Sequence, residues 1–147
     1  MSFQADPNII RWRLHLKSPP IVVYRMFATS DGRARFWAES AEETDGVIEF
    51  RFPGGQTWRG EILENGPPHR FAVRYFGGSV TTVEIEDDGA GGTDLTLTDA
   101  GVPAEDRSEV IAGWVSVLMA LKAAVDFDVD LRNHDAHRTW AQSFADN

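Results

Sequence analysis

The side chains able to do chemistry in this chain fall into three small groups. His134 and His137 stand three apart with Asp135 between them. On a helix that spacing puts two imidazoles on one face, where they could share a metal ion. A metal needs three or four converging ligands, and no third is in reach along the chain, so no metal site and no cofactor is expected. Asp126, Asp128 and Asp130, in "DFDVD", lack the glycine and the distal glutamate of a calcium loop. Solvated or helix-terminal roles suit them better. The third group is hydroxylic: Tyr24, Tyr75 and Thr81 carry polar atoms on segments that otherwise read as apolar faces. Tyr75 is the candidate for acid–base or ligand-orienting work. A core tyrosine with its hydroxyl satisfied is the plainer role for it.

Other chemistries lack their residues. The chain has no cysteine, which removes disulfides, thiolate nucleophiles and sulfur-ligated zinc. The glycine pairs Gly54-Gly55, Gly77-Gly78 and Gly91-Gly92 punctuate turns, and none opens a helix after a strand in a phosphate-binding arrangement. No serine sits in a nucleophile elbow. Formal net charge is −9, and the fourteen basic residues are scattered. Nucleic-acid binding and electrostatic attachment to anionic membranes are therefore not expected. No uninterrupted apolar run reaches the roughly 20 residues that span a bilayer, and "MSFQADPNIIRW" lacks a signal-peptide core. A cytoplasmic location is expected.

The elements that must position these residues are legible in the periodicity. Residues 9–17, "IIRWRLHLK", alternate with Ile10, Trp12, Leu14 and Leu16 on one face, as a strand with one dry side does. Pro19 and Pro20 end it, and Pro20 suits the first turn of a helix with Ile21, Tyr24 or Arg25, and Phe27 or Ala28 at helical spacing on one face. Ser30 is placed to cap a second short helix, "DGRARFW". From residue 38 to 99 about six strands follow, joined by short Gly-containing connections that make an antiparallel meander. Ile48, Phe50 and Phe52, Trp58 and Ile62, Phe71, Val73 and Tyr75, Thr81, Val83 and Ile85, then Leu95 and Leu97 form the inward sets. These faces hold no acid or base. A long amphipathic helix of about 25 residues closes the pattern, with Val110 or Ile111, Trp114, Val117 or Leu118, Leu121 and Val125 on its apolar stripe. The polar tail from Asn133 onward, with Trp140 and Phe144, is expected to fold back. One domain over residues 1–147 results, of α+β class: a curved antiparallel sheet with two short helices, wrapped around one long C-terminal helix. A sheet of that width curls away from a straight helix and leaves room for a cavity.

Several of these features together carry a family resemblance. The early alternating strand, Pro19-Pro20 opening a helix, Phe36-Trp37, and Gly113-Trp114 followed by Leu118 and Leu121 resemble bacterial proteins similar to the C-terminal domain of the activator of Hsp90 ATPase. These belong to the START-like, Bet v 1-like (SRPBCC) superfamily with its helix-grip fold. The family often has Trp-Trp where this chain has Phe-Trp. The resemblance implies binding of a small hydrophobic or aromatic molecule, lipid or polyketide-like, between sheet and helix. A polyketide cyclase or aromatase activity, or contact with a chaperone, are the alternatives it implies. The namesake's separate chaperone-binding domain has no counterpart among these residues.

The aromatic count decides where a ligand would sit. Trp37, Phe50, Trp58, Phe71, Tyr75, Trp114 and Leu118 are the expected cavity lining, since bulky rings on both walls suit mostly apolar pockets. Trp58 and Trp114 are the foremost contacts, and Gly113 is expected to let the helix approach the sheet closely. Phe36 is expected in the core and Trp37 at the cavity rim. Binding without catalysis is the expected activity, no catalytic residue is assigned, and the outer charged face is that of a monomer or weak homodimer.

Overall fold

The computed structural model describes residues 3–147. Strand β1 (Ile9–Leu16) leads into helices α1 (Pro20–Ala28) and α2 (Ser30–Ala34). Six strands follow: β2 (Ser40–Thr44), β3 (Val47–Arg51), β4 (Thr57–Gly66), β5 (Arg70–Arg74), β6 (Val80–Asp87) and β7 (Thr93–Ala100). The last helix, α3, spans Arg107–Phe127. All seven strands make one antiparallel sheet in the order β1-β7-β6-β5-β4-β3-β2, so the meander runs unbroken and β1 closes against its last strand. A register shift between Ile62 and Glu64 of β4 supplies a bulge, which increases local twist and bends the strand. Gly60 lets β4 lie close to β5: a Cβ there would stand 2.4 Å from the Arg74 carbonyl oxygen.

Most of the alternation read from the sequence is the burial seen, with Trp12, Leu14, Phe52, Trp58, Ile62 and Tyr75 only partly buried. Ile10 and Leu16, Ile48 and Phe50, Phe71 and Val73, Val83 and Ile85, and Leu95 and Leu97 are buried. They face Trp114, Leu118 and Leu121 of α3 in one continuous core. α3 has 21 residues and is preceded by a 3-10 turn, Ala104–Asp106. The span Ala104–Phe127 is long and apolar enough to cross a bilayer by composition. Here its inner face is spent on the sheet. Asp126 ties the far end of α3 back to β1: its carboxylate accepts from Lys17 N at 2.9 Å, Ser18 N at 3.1 Å and Ser18 Oγ at 2.8 Å. Burial pulls its pKa upward, but those donors hold it below the usual carboxylate value.

Several local expectations are corrected. Thr29, not Ser30, caps α2, its hydroxyl accepting from Gly32 N at 3.0 Å. α2 stops at Ala34, so Phe36 and Trp37 lie in the turn beyond it. Ile21 points outward, and Val23, Tyr24, Met26 and Phe27 are the buried side of α1. A Cβ on Gly113 would meet nothing within 4 Å, so the close approach is elsewhere. It is at Gly32, where a Cβ would stand 2.4 Å from the Arg25 carbonyl oxygen, so α2 crosses α1 with no room for a side chain.

Charge is not excluded from the interior. Arg33 of α2 is fully buried. Its Nε and Nη2 donate to Ala41 O at 3.0 and 2.9 Å, and Nη1 donates to Phe27 O at 2.8 Å. Both outer strands are thereby finished by side chains. On β2, the Ala41 carbonyl takes Arg33 and the Glu43 N–H donates to Ser30 Oγ at 3.4 Å. On β1, the Gln4 side-chain amide pairs with Arg11, its Nε2 donating to Arg11 O at 2.6 Å and its Oε1 accepting from Arg11 N at 3.0 Å. Capped edges of this kind block strand addition by other chains.

The tail does return. Trp140 Nε1 donates to Glu109 at 2.8 Å, Ser116 Oγ to Ala145 O at 2.9 Å, and Asn133 N to Asp146 O at 2.7 Å. Arg132 fastens its start by donating to Ala38 O and Ala34 O at 2.9 and 2.8 Å. Beside it His134 bridges Asp130 at 2.6 Å and Glu39 at 2.7 Å. No group of three metal-ligating residues forms among the described residues; His134 serves this clasp, and His137 takes no side-chain part in it.

Two expected outcomes follow from these anchors. Replacing Arg33 with Lys keeps the charge but loses the fork that satisfies two carbonyls, and should cost about 3 kcal/mol in urea unfolding. The Asp130 hydrogen bond raises the His134 pKa, with Glu39 adding to it, against a smaller effect of burial. A raised imidazole stabilises below its unfolded value, about 6.5, and that stabilisation is lost as pH rises through the folded value. Asp130 is held well below the ordinary carboxylate value although burial pulls it up. Its share is present above about 3.9 and lost only on strong acidification. Limited proteolysis should therefore cut residues 128–147 faster at pH 8.5 than at pH 6, and His134→Ala should abolish that difference.

Candidate functional site

The space between sheet and α3 is occupied by rings that the sheet and the helix each contribute. β3 carries Phe50 and β4 carries Trp58. Tyr75 follows β5 directly, the turn after α2 brings Trp37, and α3 supplies Trp114. Tyr75 is the hub: its ring centroid lies 5.4 Å from Trp37, 5.2 Å from Phe50, 5.5 Å from Trp58 and 5.4 Å from Trp114. Trp37 is 6.0 Å from Trp114 and 4.9 Å from Phe50. Contacts of this length are tilted or edge-on ring pairs that add to area burial. The rings therefore fill the space in which a cavity was expected.

Polar atoms run through this apolar cluster. Trp37 Nε1 donates to Tyr75 Oη at 3.1 Å. Trp58 Nε1 and Ser79 Oγ are buried without a well-formed hydrogen bond, although Trp58 lies beside the Tyr75 hydroxyl and Ser79 beside the Asp99 carboxyl. Asp99, on the inward face of β7, is 1 % exposed. It accepts from Trp114 Nε1 at 2.9 Å and from Thr81 Oγ1 at 3.1 Å. Burial raises the Asp99 carboxyl, against the opposing pull of its Ser79, Trp114 and Thr81 neighbours. Burial also pushes the Tyr75 phenol far up, so it stays protonated and available as a donor.

The sequence-derived set divides. Trp37, Phe50, Trp58, Tyr75 and Trp114 come together. Phe71 and Leu118 are buried in the same core, but Phe71 meets Phe27, at 6.5 Å, and not the Tyr75 cluster. Trp37 is not a rim residue: it and Phe36 are both buried, at 3 % and 1 %. In a turn the two rings escape the helical geometry that would separate them, and they stack at 5.9 Å. The exposed rim is made by Phe76, 39 % accessible, against Trp58 at 5.3 Å, with Phe52 on Trp58 at 4.2 Å. Two grooves lie outside the cluster. One of about 210 Å³ runs between α3 and the returning tail beside Phe36, Trp37, Met119 and Leu131. The other, about 340 Å³, is a charged dish on the outer sheet face with Glu42, Glu49, Arg51 and Arg59.

Asp99 overturns the expectation that the inward faces carry no acid. Its signal was the alternation itself: Thr93, Leu95 and Leu97 point inward, and the next position in that register is 99.

An open seven-stranded sheet gripping one long helix over an aromatic interior is the helix-grip architecture of START-like, Bet v 1-like proteins. Within that class the chain belongs to the family described as Activator of Hsp90 ATPase homolog 1-like protein, whose profile matches residues 17–126. Among solved structures it is similar to the protein SSP2350 from Staphylococcus saprophyticus, at 22 % identity and a TM-score of 0.72, with 84 % of this chain and 96 % of that one covered. The protein CV1439 from Chromobacterium violaceum is 29 % identical, with a TM-score of 0.65 and coverage of 82 % and 99 %. The Aha1 dimer from Colwellia psychrerythraea gives 20 % identity, a TM-score of 0.71 and coverage of 81 % and 96 %. DynU16, from the dynemicin biosynthetic locus, gives 19 % identity and a TM-score of 0.73, and this chain spans about half of it, 49 %. No curated protein matches.

A carboxyl whose folded pKa is raised favours folding when protonated. Its contribution is full below about 3.9 and declines as pH rises through the folded value. Asp99→Asn should therefore gain stability relative to the parent chain between pH 4 and pH 7 in urea titrations. A pH-independent difference would mean that Asp99 titrates normally.

Proposed function

We propose that this protein binds a small, mostly apolar molecule between the sheet and α3, among Trp37, Phe50, Trp58, Tyr75 and Trp114. The carrying observation is polarity sealed inside a ring cluster: the Trp58 indole N–H and the Ser79 hydroxyl are buried without a well-formed hydrogen bond, with Tyr75 and Asp99 as their nearest polar neighbours. A buried donor without an acceptor costs about 1–3 kcal/mol, and a ligand oxygen reaching Trp58 would remove that cost. The partly exposed Phe52, Trp58 and Phe76 mark the way in, and the rings must part to admit a guest. Phe71 and Leu118 then act as the floor beneath the site.

A catalytic reading rests on one observation, the acid Asp99 close to the Tyr75 phenol. A carboxylate base and a neutral phenol donor suit enolisation of a polyketide-like carbonyl compound. DynU16's origin in a biosynthetic locus is compatible with that chemistry.

Binding is read from tryptophan emission and from thermal unfolding. An aromatic ketone of two or three rings should shift the emission and raise Tm by several degrees, and Trp58→Phe, which deletes the indole N–H, should weaken binding about tenfold. No response to any apolar ligand would refute the reading. For the catalytic alternative, turnover by the parent chain that survives both Asp99→Asn and Tyr75→Phe would remove these two groups from any mechanism.

A further inference from the structure

A carboxyl sealed into an aromatic interior with no cation beside it is an incomplete arrangement. Both Asp99 oxygens are engaged by neutral donors, Trp114 Nε1 and Thr81 Oγ1. Every ion pair among the described residues uses other carboxylates. The fully buried cation, Arg33, gives its N–H groups to Phe27, Ala41 and Ser30, not to Asp99. Taking a carboxylate out of water is costly unless an opposite charge meets it.

The surroundings of Asp99 are those that attract an organic cation. Trp114 binds Asp99 through its indole N–H and lies 5.4 Å from Tyr75 and 6.0 Å from Trp37, centroid to centroid. Trp58 stands 5.5 Å from Tyr75 on the rim side. The faces of electron-rich rings attract ammonium groups, most strongly where water is excluded. The net charge of −9 biases encounters toward cations and against carboxylate ligands.

We infer that the ligand of this site is an apolar amine, bound as the ammonium ion, with its charged head at Asp99 against the Trp114 and Tyr75 rings and its apolar body among Phe50, Trp37 and Trp58. The inference rests on the internal site proposed above and narrows its ligand class. The head finds a carboxylate acceptor at Asp99, which meets Trp114 at its indole N–H edge, with the Tyr75 and Trp37 rings packed on Trp114 close by. Ser79 Oγ, buried beside Asp99 without a geometric partner, is available to accept one of its N–H groups.

The test uses the full chain and three probes of equal size, 4-phenylbutylamine, 4-phenylbutanol and 4-phenylbutyrate, titrated calorimetrically at pH 7. The amine should bind about tenfold more tightly than the alcohol, and the carboxylate more weakly than either. Asp99→Asn keeps the volume and an acceptor for Trp114, and should bring amine and alcohol to equal affinity. Circular dichroism and Tm verify that it folds. If it does not fold, the ranking of the three probes on the unaltered chain decides alone. An alcohol that binds as well as the amine, or a preference for the amine that survives Asp99→Asn, overturns the amine inference while leaving the internal apolar site standing. Binding by none of the three, together with no apolar ketone bound, overturns both.

Discussion

A guanidinium group with no carboxylate in contact holds the mouth of this fold together. Arg33 is surrounded by carbonyl oxygens from α1 and β2, and its charge is moderated only at a distance by Glu42 and Glu43, burial being the larger influence on its pKa. Three elements must converge for those oxygens to reach one planar fork. Once α1, α2 and β2 are fixed in this way, the chain leaving α2 has little choice of path. That path carries Phe36 and Trp37 into the interior, where the Trp37 N–H meets Tyr75.

The interior is therefore built from two kinds of constraint. Sheet alternation and the inner stripe of α3 supply a conventional apolar core. Into it the chain sets groups that water would otherwise satisfy: Arg33 near the helical pair, Asp99 and Thr81 on adjacent strands, and Tyr75 between indole rings. The first group is saturated by backbone. The second is only partly saturated, and unsaturated polarity in a dry place is what separates a binding site from packing.

Much of the fold was legible because period-two alternation survives in most strands, and because α3 keeps its apolar stripe through Trp114, Leu118 and Leu121. β2 announced itself weakly, since "SAEET" has one apolar residue and reads as a loop; it is an edge strand whose pairing comes from β3. Arg33 was illegible for a different reason. In "DGRARFW" a charge looks solvated, and only the three-dimensional meeting of Phe27 and Ala41 buries it. Asp99 is legible in the sequence, one step beyond Leu97 in the same period-two alternation. Trp37 was misplaced because helical geometry was extended past the residue where α2 ends. The five-ring cluster at Tyr75 could be guessed as a set, but not its filling, which depends on rotamers and on the bulge in β4.

The two side chains that finish the sheet have a consequence for the chain's fate when it is only partly folded. Gln4 and Arg33 come from segments outside the sheet, so an intermediate with the meander formed and those segments loose presents two bare strand edges. Growth of mixed or fibrillar aggregates would begin there, at rates set by how fast a short N-terminal arm and a five-residue helix dock. Much of the protection of the two outer strands thus falls to side chains from the smallest elements, Gln4 from the N-terminal arm and Ser30 and Arg33 from α2.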